Sequence, residues 1–67
     1  MCNRIHFQSA KQAKGVASLL KMRGYKVSTI SNGCSFEKGL ILEVGDNAFD
    51  FAIQVCDAFE FIAVIEG

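Results

Sequence analysis

The chain is 67 residues long and 51% hydrophobic, with no proline and seven Lys and Arg against seven Asp and Glu. That much apolar surface excludes a disordered tail, and no uncharged apolar run approaches the roughly 20 residues of a membrane span. One domain over residues 1–67 is expected, soluble and cytoplasmic, because no signal-like segment precedes the first strand pattern.

Arg4-Ile5-His6-Phe7-Gln8 alternates polar and apolar residues, the period of a half-buried strand with Ile5 and Phe7 facing a core. Ser9 then opens a helix, and Ser9-Ala10-Lys11-Gln12 fits an S-x-x-Q capping box. Ala13, Val16, Ala17 and Leu20 follow at helical spacing as the buried stripe. Gly24 supplies the left-handed residue that ends the helix.

The β-branched run Lys26-Val27-Ser28-Thr29-Ile30 reads as a second strand. After the turn residues Ser31-Asn32-Gly33 and a longer loop, a third strand is expected over Gly39–Val44, with Leu40, Leu42 and Val44 on one face. Asp46 or Asn47 caps a second helix running from Ala48 to Phe61. Its inner face holds Ala48, Ala52, Val55, Cys56 and Phe59; Asp50, Gln54, Asp57 and Phe61 form the outward line. Ala63-Val64-Ile65-Glu66 closes as a short strand.

The order β-α-β-β-α-β, with right-handed crossovers, predicts an α+β ferredoxin-like fold. Its four-stranded antiparallel sheet has the order 4-1-3-2, with both helices on one face and the other face open. Ile41, and with it Ile30 and Ile65, is expected on that open face around His6 and Glu43.

Neutrality hides a charge division. Residues 1–38 hold all seven basic residues and one acid, Glu37, a balance of +6, whereas residues 39–67 hold six acids and no base. The first helix is thus basic and the second acidic, so the two attract one another. Alternatively, Lys14 and Lys21 steer a partner of opposite sign, since steering depends on local potential.

Several apolar residues fall outside the expected core. Leu19 and Met22 lie on the outer side of the first helix, and Ile53 and Phe61 on that of the second. A contiguous apolar set on a polar surface marks a protein partner or a dimer seam. A sheet with one bare face also favours self-association by face or edge pairing.

Three cysteines, Cys2, Cys34 and Cys56, form no C-x-x-C pair, and the single histidine is His6. This pattern fits neither a four-ligand zinc site nor a disulfide framework, so no metal or cofactor is expected. Cys56 reads as core. Cys34 lies in the loop after strand 2, at the end of the sheet where strand 1 meets the first helix. A helix N-terminus there favours a thiolate, so Cys34 is the candidate reactive thiol of a sulfur carrier or redox protein. His6 has no identifiable nucleophile partner in the sequence.

Lys38-Gly39-Leu40-Ile41-Leu42-Glu43-Val44 faintly resembles the third-strand signature of RNA-recognition motifs. That resemblance implies aromatic rings on the open sheet face, but the corresponding positions are read as Leu40 and Leu42. RNA binding is therefore the weaker alternative. The leading expectation is a non-catalytic protein-binding module, an adaptor, regulator or inhibitor, using Lys14, Leu19, Lys21, Met22, Ile53 and Phe61.

Overall fold

The computed structural model describes residues 2–66, with the side chain of Cys2 left aside. Six elements follow in order: β1 (Cys2–Phe7), α1 (Ala10–Met22), β2 (Val27–Ile30), β3 (Leu40–Gly45), α2 (Asp46–Ala58) and β4 (Ala63–Glu66). All strand pairs are antiparallel and the sheet order is β2-β3-β1-β4. This is the expected ferredoxin-like order read from its other edge.

Register decides which side chains meet the helices, because directly opposite residues share a face. Ile5 pairs with Leu42 and Ile65, and Phe7 with Leu40 and Ala63, so these residues point to the helical side. His6 pairs with Ile41 and Val64, and Arg4 with Glu43 and Glu66, on the opposite side. Leu40 and Leu42 therefore belong to the core, and the open-face positions of β3 are Ile41 and Glu43. Ile30, opposite Ile41, is on the open face as expected, whereas Ile65 is on the helical side of an edge strand.

One core fills the space between sheet and helices. Ile5, Phe7, Leu20 and Leu42 are 0% exposed, and Ala13, Val16, Ala17, Ala52 and Cys56 pack with them. The stripe of α1 is the one its spacing predicts. Removing a side chain such as Leu20 would cost about 2–5 kcal/mol, against a total stability of roughly 3–10 kcal/mol for this length.

The helix ends depart from expectation in instructive ways. Ser9 is the N-cap of α1 but makes no side-chain cap bond, so the Ser9–Gln12 capping box does not form. Gly45, the last residue of β3, is the N-cap of α2 in place of Asp46 or Asn47. Strand and helix join without a loop, which pulls the helix start forward.

Both helices finish in the same double hydrogen-bond pattern, the Schellman motif. At α1, Tyr25 N–H donates to the Leu20 carbonyl at 3.0 Å and Gly24 N–H to that of Lys21 at 3.0 Å. At α2, Phe61 N–H donates to Cys56 at 2.9 Å and Glu60 N–H to Asp57 at 3.2 Å. Gly24 and Glu60 hold the required left-handed conformation, with φ of 86° and 56°.

The second stop ends α2 at Ala58, three residues before the expected Phe61, and exchanges the roles of two rings. Phe59, expected inside, is 60% exposed. Phe61, expected outside, turns back to pack against the core, with its ring stacked 5.4 Å from that of Phe59.

Candidate functional site

On the helical side, a groove of about 320 Å³ runs between α1 and the end of α2. Val16 and Leu19 form one wall, Val55, Phe59 and Phe61 the other, and Lys11 and Gln12 stand at one end. The early stop of α2 creates this groove by swinging Phe61 back towards α1. Gln12, freed from the capping box, has its Oε1 fully buried with no hydrogen-bond partner. Such unpartnered buried atoms are few in native proteins, and each calls for a reason.

The residues nominated from sequence separate here. Leu19, 36% exposed, and Phe61 meet in the groove. Met22 is 83% exposed beyond it at the end of α1. Ile53, expected on the surface, is half-buried and packs against the core beside the α2 stripe. Lys14 and Lys21 are exposed on α1.

Charge attraction between the helices takes no paired form. Among the described residues, none of Lys11, Lys14 and Lys21 makes an ion pair. A cation–π contact joins the helices at this end instead: the Arg23 guanidinium lies 4.5 Å from the Phe51 ring centroid, beside Tyr25 at 6.2 Å. Such contacts contribute about 0.5–1 kcal/mol near the surface.

On the other side of the sheet, the face is not bare along its whole length. The connection 31–39 folds back over one end, and there His6 is 3% and Ile41 2% exposed. Ser35 holds this cover in place. Its backbone N–H donates to His6 Nδ1 at 3.0 Å, and its Oγ lies 3.1 Å from the same nitrogen. His6 Nε2 in turn lies 2.8 Å from Glu66 Oε2. Next to this group, Arg4 Nε pairs with Glu43 Oε2 at 3.2 Å.

Sequence reasoning gave His6 no nucleophile partner; the structure sets Ser35 against one ring nitrogen and Glu66 against the other. The omission has a plain cause: Ser35 and Glu66 lie 29 and 60 residues away along the chain. The signal available was a loop too long for a hairpin beside an open sheet face.

Cys34 is half-buried in this same connection. Its thiol donates to the Phe7 carbonyl oxygen at 3.8 Å, which places it at the end of β1 from which α1 departs. Gly39 closes the turn over it, since a Cβ there would collide with the Phe7 carbonyl oxygen and stand 2.9 Å from Cys34 Sγ. Cys56 is buried in α2, and burial, with Asp57 beside it, pushes its thiol pKa up. Among the described residues, no three His, Cys, Asp or Glu side chains are grouped to hold a metal ion. The described helices include none long and apolar enough to cross a membrane.

No protein-family model, curated protein or solved structure matches this chain.

Proposed function

We propose that this protein is a small protein-binding module, an adaptor, regulator or inhibitor, whose partner docks in the groove between α1 and the end of α2. The observation that carries this reading is Gln12 Oε1, a buried acceptor without a donor beside an apolar groove. An apolar side chain that also brings an N–H would fill the groove and satisfy that oxygen, removing a penalty of about 1–3 kcal/mol. Leu19 and Phe61 are the apolar contacts. Exposed Lys11, Lys14 and Lys21 favour a partner with an acidic rim, because local potential steers encounter even when net charge is zero.

Parallel capture with the wild type and Leu19→Asp tests the groove, with circular dichroism confirming the fold of both. A stoichiometric partner held by the wild type and lost by Leu19→Asp supports docking there; equal capture rejects it. Charge reversal at Lys14 and Lys21 is expected to weaken that binding several-fold more at low salt than at high salt. A salt-independent loss would reject steering. The same capture distinguishes the RNA alternative, in which nucleic acid would co-purify, and a second copy of the chain, in which the solution mass would double.

The thiol-carrier alternative rests on the position of Cys34 beside the start of α1. Its test is the alkylation rate of Cys34 against that of free cysteine, where equal rates remove the case for activation.

A further inference from the structure

Beyond partner binding, and on the opposite side of the molecule, we propose that Ser35, His6 and Glu66 form a nucleophile–base–carboxylate relay that lets Ser35 Oγ accept an acyl group from a carboxylic ester. Three separate segments deliver the parts: the β2–β3 connection, the C-terminal end of β1 and the end of β4. Their spacings are those of a working relay, 3.1 Å from Ser35 Oγ to His6 Nδ1 and 2.8 Å from His6 Nε2 to Glu66 Oε2.

The hydrogen bonds fix the direction of proton flow. Only an unprotonated ring nitrogen accepts an N–H, and Ser35 N–H donates to Nδ1 at 3.0 Å. The proton of the neutral ring is therefore on Nε2, where it is donated to Glu66. Nδ1 is the basic nitrogen, and it faces the hydroxyl. The carboxylate orients the ring and stabilises the imidazolium that forms, as the acid does in a Ser-His-Asp triad. His6 is 3% exposed, so packing holds the ring in one orientation, whereas Ser35 is exposed and reachable by substrate.

In the reaction, Ser35 Oγ attacks the ester carbonyl carbon as its proton passes to Nδ1. Collapse of the tetrahedral intermediate breaks the bond to the alkoxy oxygen, which takes that proton and leaves as the alcohol. Water then attacks the acyl-serine with Nδ1 again as base, releasing the carboxylic acid and restoring the hydroxyl.

The test uses p-nitrophenyl acetate and a fluorophosphonate probe on the full chain carrying Cys34→Ala, so that the neighbouring thiol does not compete. Peptide mapping is expected to place the acetyl and phosphonyl groups on Ser35, with none there in Ser35→Ala. His6→Gln is expected to slow acylation by about 100-fold or more. Should that variant not fold, Glu66→Gln decides, because the carboxylate is 58% exposed and its loss spares the core. It is expected to slow acylation at least tenfold while the thermal midpoint stays unchanged. Absence of a Ser35 adduct, or an unchanged rate in Glu66→Gln, overturns the proposal. Neither result bears on docking in the helical groove.

Discussion

Single side chains here take their chemistry from the element that holds them. Cys56 follows its spacing on α2 into the core, where desolvation, and then Asp57, disfavour the thiolate and raise its pKa. The thiol is ordinary when unfolded and harder to ionise when folded. Its stabilising contribution is therefore complete below the ordinary value of 9.0 and is lost as pH rises from there through the raised folded value. Chemical denaturation between neutral pH and pH about 10 is expected to show stability falling with pH, and Cys56→Ala to flatten that slope. Under native conditions, alkylation is expected to modify Cys34 well before Cys56, as mass spectrometry of timed samples would record.

At the scale of elements, the helix stops and the long connection shape both surfaces. Glu60 occupies the left-handed position of the second Schellman motif, where a side chain is strained by about 1 kcal/mol. Glu60→Gly is expected to stabilise the fold by about that amount in urea titrations. Preserving the turn, it should leave Phe61 in the groove. The 31–39 connection depends on Gly39, whose hydrogen atom stands where a Cβ would strike the Phe7 carbonyl oxygen. Backbone cannot yield as a side-chain tip does. Gly39→Ala is therefore expected to cost about 1–3 kcal/mol, and faster hydrogen exchange at Ser35 would report the loosening of the loop from His6.

Across the whole molecule, the sheet divides two independent surfaces: a helical groove with an unsatisfied acceptor, and a sheet end where a loop seats a serine on a buried histidine. The elements, the stripe of α1 and the strand order were legible in the sequence because each follows from local periodicity, and crossover handedness leaves few arrangements. Leu19 was legible as an apolar residue outside the stripe. The reversal of Phe59 and Phe61 was not, since it turns on one left-handed residue, Glu60, which composition gives no reason to expect there. Nor was the partnership of His6 with Ser35 and Glu66, because no pattern within a strand or helix spans such separations. Local spacing determined the order of strands and helices and the buried stripe of α1, through the geometry of each element taken alone. Only the three-dimensional folding of strand against strand, and of loop over sheet, decided which polar atoms would find one another, because hydrogen bonds depend on distances in space that the order of residues does not contain.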